Sequence, residues 1–252
     1  MQIDLTGKTV LVTGASRGIG RSLAEGLAGA GATVAAHFNQ YKAAAEDLAE
    51  TVGNDTRAFQ ADLADPDSCE RLFREVVETY GRLDVLVNNA GIALKIPLDM
   101  STHIWLDSWD LTMAVNLRAV ELLSRLAVDH FQRHDGGRII NVASRAAFRG
   151  DSPEYMTYAA SKAGVVALTR SIARAYGKAG VCAFVLAPGF VRTEMAQEVI
   201  DEHGEERVTG DLALDRLTEP ADLAPLVVLL SSGLADHATG ATFDMNAGSY
   251  VH

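Results

Sequence analysis

Short apolar runs alternate with amphipathic stretches along almost the whole chain, and this alternation restricts the fold more than any other feature. The runs are rich in Val, Ile and Ala and show little polar alternation, as expected of parallel strands that are buried on both faces. Stretches with helical periodicity separate them. Repeated strand–helix–strand units form a parallel sheet covered by helices, with right-handed crossovers. The chain is therefore predicted to be an α/β protein.

The boundaries of these elements follow from the same pattern. Strands are predicted over Thr9–Thr13, Thr33–Phe38, Arg57–Gln60, Val85–Asn88, Arg138–Val142, Cys182–Leu186 and Ala241–Met245. Helices are predicted over Gly20–Ala30, Ala43–Val52, Pro66–Tyr80, Leu111–His134 and Tyr158–Lys178, among others. No Pro/Gly/Ser-rich linker interrupts the pattern. The polar, acidic stretch Arg192–Asp215 has no clear strand, and its length is more typical of a functional flap than of a linker. We therefore predict one domain over residues 1–252 with a substrate flap at about 190–215.

The charge of the chain excludes several classes of partner. It carries 22 basic against 33 acidic side chains, a formal net charge of −11. Such a surface repels nucleic acids and anionic lipids, so neither is an expected partner. The longest apolar stretch, around Leu223–Leu230, is too short to cross a membrane, and no secretory signal precedes the first strand. Cys69 and Cys182 show no metal or disulfide spacing. We therefore expect a cytoplasmic protein without a metal site.

A glycine-rich turn follows the first predicted strand and leads into a helix, in the sequence Thr13-Gly14-Ala15-Ser16-Arg17-Gly18-Ile19-Gly20. Glycines at these positions allow a tight turn, the approach of a pyrophosphate and close packing of the helix on the sheet. The free N–H groups at the start of the helix can then bind phosphate. The strand before the motif and the helix after it support a dinucleotide site. The cofactor contacts predicted here are Gly14, Ser16, Arg17, Gly18, Ile19 and Gly20.

The residues after the second strand indicate which dinucleotide binds. An Asp or Glu there usually binds the ribose 2′-OH of NAD, whereas this chain has the sequence His37-Phe38-Asn39-Gln40. The planar guanidinium of Arg17 can instead hold a 2′-phosphate. We therefore favour NADP(H), with Asn39 among its contacts. NAD(H) remains a possible cofactor, because Arg17 could instead be a solvated surface residue that binds no phosphate.

Tyr158 and Lys162 stand four residues apart in a predicted helix, so their side chains share one face. A neighbouring ammonium stabilises a phenolate and lowers the pKa of tyrosine from about 10, which makes it a better general acid/base. Ser144 follows the strand Arg138–Val142, at the sheet edge where ligands bind. Its hydroxyl can bind a substrate oxygen, and no Gly-x-Ser-x-Gly elbow marks it as a hydrolase nucleophile. Together these residues predict proton transfer to a carbonyl oxygen.

With these motifs in order, the chain resembles the short-chain dehydrogenase/reductase family. The resemblance rests on Thr13-Gly14-x-x-x-Gly18-x-Gly20, Asp62-Leu63, Asn88-Asn89-Ala90-Gly91, Asn116, Ser144, Tyr158-x-x-x-Lys162 and Pro188-Gly189 with Thr193. It spans nearly the whole chain. It implies a Rossmann-type, doubly wound three-layer sandwich with a seven-stranded parallel sheet in the order 3-2-1-4-5-6-7. It also implies a homotetramer or a homodimer.

The resemblance implies a role for each matching residue. Ser144 would orient the substrate oxygen, and Tyr158 would exchange its proton. Lys162 would bind the nicotinamide ribose and lower the pKa of the tyrosine. Asn116 would hold a water molecule that links the lysine to solvent. The implied cofactor contacts beyond the glycine loop and Asn39 are Asp62 and Leu63 at the adenine, then Asn89, Ala90, Gly91, Tyr158, Lys162, Pro188, Gly189, Val191 and Thr193.

The implied activity is the NAD(P)(H)-dependent interconversion of a ketone and a secondary alcohol in a small-molecule substrate. The C-terminal stretch Thr239–Gly248 resembles 3-oxoacyl carrier-protein reductases, but a sugar or polyol dehydrogenase fits the motifs as well. A remote alternative is a dinucleotide-binding protein without turnover. Arg145 and Arg149, with Arg192, are hypothesised to bind an anionic substrate group; the alternative is surface or oligomer contacts.

Overall fold

The computed structural model describes residues 3–204 and 209–251. Its single seven-stranded parallel sheet has the order β3-β2-β1-β4-β5-β6-β7, which confirms the predicted Rossmann-type arrangement. Residues 1–2 and 252 of the predicted domain, and 205–208 of the predicted flap, lie outside the described residues. The strands are β1 Thr9–Val12, β2 Thr33–Phe38, β3 Arg57–Gln60, β4 Val85–Asn88, β5 Gly137–Val142, β6 Val181–Pro188 and β7 Thr242–Met245.

Helices cover both faces of the sheet. The α-helices are α1 Gly18–Gly29, α2 Lys42–Val52, α3 Pro66–Tyr80, α4 Thr102–Met113, α5 Ala119–Gln132, α6 Ala146–Arg149, α7 Met156–Tyr176, α8 Glu194–His203 and α9 Pro220–Ser232. Among the described residues, none of these helices combines the length and the apolar character needed to cross a membrane.

Two apolar cores, one on each face of the sheet, explain why the strands show so little polar alternation. Val10 and Val12 of β1 belong to the core shared with α1, α2 and α9, whereas Leu11 belongs to the core shared with α3, α5 and α7. Successive residues of a strand point to opposite faces, so each position of a doubly covered strand must be apolar. Polar side chains near a ligand consequently come mostly from the strand ends and from the loops and helices that follow them.

Residues 111–132 of the predicted helix Leu111–His134 are helical, but the helical region begins earlier and contains an irregular turn. Helix α4 begins at Thr102, and a π-helical turn over Ala114–Arg118 separates it from α5. Thr112 is the one buried residue of α4, so this helix shows little of the apolar periodicity by which helices are found in a sequence. Helix α8 lies in the segment that was predicted as a flap, and it begins after Thr193, whose hydroxyl accepts a hydrogen bond from the N–H of Ala196 at 3.3 Å.

Candidate active site

A cavity of about 370 Å³ opens at the carboxyl ends of β1, β2 and β4. Most of the predicted cofactor residues line it, namely Gly14, Ser16, Arg17, Gly18, Ile19, Gly20, Asn39, Asp62, Leu63, Asn89, Ala90, Gly91 and Thr193. Residues that the sequence did not assign complete the wall: His37, Gln40, Tyr41, Ile92, Val115 and Glu194. The structure thus brings together segments from six separate parts of the chain at the predicted nucleotide-binding edge.

The glycine loop has the form that a pyrophosphate requires. A Cβ atom on Gly20 would collide with the carbonyl oxygen of Gly14 and would lie 2.5 Å from Nδ2 of Asn89. The first turn of α1 contains no acidic residue, and its N-cap residue, Arg17, forms no side-chain capping hydrogen bond. The N–H groups of that turn have no acceptor within the helix, so they are available to an anion. These features fit the diphosphate of a dinucleotide.

Thr13 fastens the glycine loop to the loop after β4. Its hydroxyl oxygen accepts hydrogen bonds from the N–H of Asn89 at 2.9 Å and of Ala90 at 3.0 Å. The amide of Asn89 donates in return to the carbonyl oxygen of Thr13 at 2.9 Å. The two loops that flank the cavity are therefore held at a fixed separation.

His37 is a site residue that the sequence reasoning missed. It is buried near the end of β2, where its Nδ1 accepts a hydrogen bond from the N–H of Gly14 at 3.0 Å. Its Nε2 lies 3.1 Å from the carbonyl oxygen of Ala61, so this nitrogen carries the proton. Burial lowers the pKa of His37 to about 4. The ring thus stays neutral and supports the glycine loop; a histidine inside the apolar run Thr33–Phe38 was the available signal.

Arg17 lies at the mouth of the cavity, near the end of β2. Its guanidinium carbon is 4.4 Å from the ring centroid of Tyr41, and its Nη1 forms an ion pair with Glu194. Asn39 lines the same cavity, and its carbonyl oxygen accepts a hydrogen bond from the side chain of Gln60 at 3.3 Å. The segment after β2 contributes no carboxylate to this wall. The described surroundings therefore suit a phosphate better than a ribose hydroxyl that needs an acceptor.

Ser144 and Tyr158 meet beyond the carboxyl end of β5. Ser144 is buried, and its hydroxyl oxygen accepts a hydrogen bond from the N–H of Ala146 at 3.1 Å. Burial raises the pKa of Tyr158, and the hydrogen bond with the Ser144 hydroxyl opposes that rise. The expected lowering of the tyrosine pKa by Lys162 is therefore not found in the protein alone.

Lys162 lies close to the tyrosine but donates its hydrogen bond to another group. Its Nζ is 5.8 Å from the ring centroid of Tyr158 and donates a hydrogen bond to the carbonyl oxygen of Val142 at 2.8 Å. The residue is buried, and this burial lowers the pKa of the amine to about 8. Burial disfavours the charged form of an amine, but with this pKa the lysine is still mostly protonated at neutral pH.

Asn116 occupies the π-helical turn and joins three segments. Its side-chain amide donates to the carbonyl oxygen of Ile92 at 2.8 Å and to the hydroxyl of Ser161 at 3.1 Å. Its Oδ1 accepts from the N–H of Ile92 at 2.8 Å. Both N–H groups of the side-chain amide are used in these bonds, and the relay water predicted for Asn116 stays a prediction. A Cβ atom on Gly91 would lie 3.3 Å from both Asn116 Oδ1 and Lys162 Nζ, so the cofactor cavity directly adjoins the predicted catalytic residues.

Five predicted cofactor residues do not line the cavity. Tyr158 and Lys162 lie in α7, whereas Pro188 ends β6 and Gly189 and Val191 follow it. Pro188 accepts a hydrogen bond from the N–H of Arg145 at 2.9 Å, and Gly189 donates to the carbonyl oxygen of Met245 at 3.1 Å. Val191 is buried and pairs with Thr218 in an isolated bridge. Their contact with the nicotinamide end therefore stays a prediction.

The three arginines hypothesised to bind an anion have different surroundings. Nε of Arg192 is paired with Glu219 at 2.9 Å, and Nη1 of Arg149 lies 3.9 Å from Asp211. Arg145 lies with its guanidinium carbon 5.7 Å from the ring centroid of Phe190, and its buried Nη1 has no hydrogen-bond partner among the described residues. Two of the three are thus already next to carboxylates.

The comparisons with known proteins agree with this geometry. A sequence-family model described as short chain dehydrogenase matches residues 8–204. A "3-oxoacyl-[acyl-carrier-protein] reductase FabG" of Staphylococcus aureus is 38% identical over 247 residues, covering 97% of this chain and 98% of the relative. The crystal structure of a blue fluorescent protein from a metagenomic library, in complex with NADPH, has a TM-score of 0.91 at 35% identity and covers 98% of this chain and 100% of that one. A putative NAD(P)-dependent gluconate 5-dehydrogenase from Beutenbergia cavernae, with bound NADP at low occupancy, has a TM-score of 0.89 at 35% identity and covers 99% of both chains.

Proposed function

This chain belongs to the short-chain dehydrogenase family, and we propose that it is an NADP(H)-dependent reductase of 3-oxoacyl thioesters. As a member of that family it is an oxidoreductase that uses NAD(P) and interconverts a ketone and a secondary alcohol. The observation that carries the proposal is the cluster of Ser144, Tyr158 and Lys162 directly beside a cavity that fits a dinucleotide.

NADP(H) is favoured by the surroundings of Arg17. Its guanidinium stands at the cavity mouth beside Asn39 and Tyr41. A planar guanidinium binds a phosphate through paired hydrogen bonds, whereas the ribose hydroxyl of NAD(H) prefers a carboxylate. The solved relatives with NADPH or NADP are consistent with this preference.

Tyr158 is proposed to give its proton to the carbonyl oxygen. A nicotinamide held in the cavity would supply the hydride for the carbonyl carbon. A tyrosine whose pKa is raised by burial is fully protonated near neutral pH, as a proton donor in reduction must be. Ser144, which contacts the phenol, would hold the carbonyl oxygen in place, and the resulting phenolate would regain its proton from solvent through Lys162.

Two substrate classes are compatible with this site. The 3-oxoacyl thioesters are supported by curated reductases that are similar over nearly the full chain. A sugar acid is the second candidate, because a similar solved structure is a putative gluconate 5-dehydrogenase. The proposal also includes one domain with a flap, a cytoplasmic location and a homodimer or homotetramer.

A substrate panel tests the proposal. The purified protein would be assayed at 340 nm with NADPH and with NADH, against acetoacetyl thioesters, 5-ketogluconate and neutral ketones. We expect NADPH-dependent reduction of the thioester, with loss of turnover in Tyr158→Phe and unchanged NADPH binding. Reduction of 5-ketogluconate alone would favour the second substrate class. Absence of NADPH consumption on every ketone would contradict the proposed activity.

A further inference from the structure

A carboxylate from the flap already contacts the arginine to which the phosphate selectivity is assigned. Glu194 is the first residue of α8, and its carboxylate forms an ion pair with Nη1 of Arg17. Both residues line the cofactor cavity. The pair therefore joins the glycine loop to the first turn of the flap helix, across the mouth of the cavity.

Neighbouring contacts bring the flap against the glycine loop at the same place. A Cβ atom on Gly18 would lie 3.3 Å from Cγ2 of Thr193, the residue that precedes Glu194 and caps α8. The Arg17 guanidinium carbon also lies 4.4 Å from the ring centroid of Tyr41. The guanidinium thus contacts both an aromatic ring and a carboxylate.

We propose that Glu194 competes with the 2′-phosphate of NADP(H) for Arg17 and so limits the discrimination between NADP(H) and NAD(H). This inference rests on the proposed NADP(H) preference. A phosphate and a carboxylate that approach one guanidinium repel each other, so the phosphate must displace Glu194 or share the arginine with it. NAD(H) has no phosphate at that position, and its binding leaves the ion pair in place.

The size of the effect follows from the exposure of the pair. The side chains of Arg17 and Glu194 are 49% and 72% exposed, and such ion pairs are weak. Replacing Glu194 by Gln is therefore expected to tighten NADPH binding by about two- to fivefold at low salt. NADH binding should change by less than about twofold, and the difference should shrink as salt screens the charges.

A double-mutant cycle tests the inference on the full-length protein. Dissociation constants for NADPH and NADH would be measured by isothermal titration calorimetry in the wild type, Glu194→Gln, Arg17→Met and the double variant. Asp47→Asn is the matched control. Asp47 is an exposed carboxylate of α2 that pairs at 2.8 Å with Arg21 of α1, and it does not line the cavity. This substitution changes the net charge by the same amount as Glu194→Gln.

The expected result is a gain in NADPH affinity in Glu194→Gln that disappears in the Arg17→Met background. An equal gain for NADH, an equal gain in Asp47→Asn, or a gain that persists without Arg17 would overturn the inference. If Arg17→Met weakens NADPH binding but Glu194→Gln leaves it unchanged, the competition is absent while the proposed cofactor preference stands. If Arg17→Met affects neither cofactor, both the preference and the inference are wrong.

Discussion

The two ends of the ligand cleft are built by different means. At the ends of β1, β2 and β4, main-chain groups and short side chains form the site, and Thr13 and His37 hold the loops with hydrogen bonds of 2.9 to 3.0 Å. Beyond β5, the proposed chemistry depends on side chains that meet from separate segments, such as Ser144 and Tyr158. The nucleotide end is therefore constrained by steric fit, whereas the reaction end is adjusted by burial and hydrogen bonding.

Removing the hydroxyl at the reaction end should have the largest effect. Ser144→Ala is expected to lower kcat for ketone reduction by about 10²–10³-fold, the usual cost of losing one donor to the reacting oxygen. The hydroxyl also opposes the rise in the Tyr158 pKa. Without it that pKa rises further, so the limb of alcohol oxidation that needs phenolate should move to higher pH. Measurement of kcat against pH in both directions checks this.

The matched control is Ser171→Ala, since Ser171 lies on the exposed side of α7 and donates to the carbonyl oxygen of Ala167 at 2.9 Å. It should retain the wild-type pH profile. A Ser144→Ala enzyme with normal kcat would remove the distinction between the two ends.

Acid should weaken the nucleotide end through His37. Its pKa is about 4 in the fold against 6.5 for an ordinary histidine, because burial disfavours the charged form. As the pH falls, the histidine is protonated in the unfolded chain before it is protonated in the fold. The free energy of unfolding is therefore unaffected by His37 above about pH 6.5 and decreases as the pH falls towards 4. The loss amounts to ~3 kcal/mol at the lower limit. Denaturant unfolding from pH 7.5 to 4.5 would show it.

A His37→Asn variant serves as the comparison, because an amide can accept the Gly14 hydrogen bond but does not titrate in this range. Its unfolding free energy should fall less steeply with acid than that of the wild type. Parallel curves for the two proteins would contradict the assignment of the loss to His37.

Steric fit at the glycine loop is tested by two alanines on one helix. Gly20→Ala places a methyl group against the Gly14 carbonyl, and we expect a loss of about 1–3 kcal/mol in stability together with weaker NADPH binding. At Gly29 a Cβ would meet no atom within 4 Å, so Gly29→Ala should be neutral or stabilise α1 by up to about 1 kcal/mol. Thermal melts and cofactor titrations distinguish them. Similar behaviour of the two variants would show that close approach does not govern this loop.

The smallest effect is expected at the flap. Thr193→Ala removes the N-cap of α8 and should cost about 1 kcal/mol locally. Amide hydrogen exchange in α8 should become faster, while the global melting temperature changes little. Thr193→Ser keeps a hydroxyl and should retain most of the protection. Uniformly faster exchange throughout the protein would mean that α8 unfolds together with the core.

The comparison also shows what a sequence can reveal. The strands were predictable because each is apolar on both faces, and the glycine loop because few residues other than glycine fit there. The pairing of Tyr158 with Lys162 followed from their helical spacing. The support of Gly14 by His37 and the ion pair between Arg17 and Glu194 were not predictable, because each joins segments that only the folded chain brings together.

The π-helical turn at Ala114–Arg118 changes the angular phase between α4 and α5. A π turn has more residues than an α turn, and each extra residue rotates the following face by about 100°. If the α-helical spacing of the apolar residues in α5 is extended back through the π turn, it therefore no longer coincides with the buried side of α4. Deleting a single residue there would restore a regular α-helix but rotate the stacked rings of Trp105 and Trp109, 5.3 Å apart, about the helix axis. The position of Asn116 and the orientation of α4 are thus linked by the extra residue of the π turn.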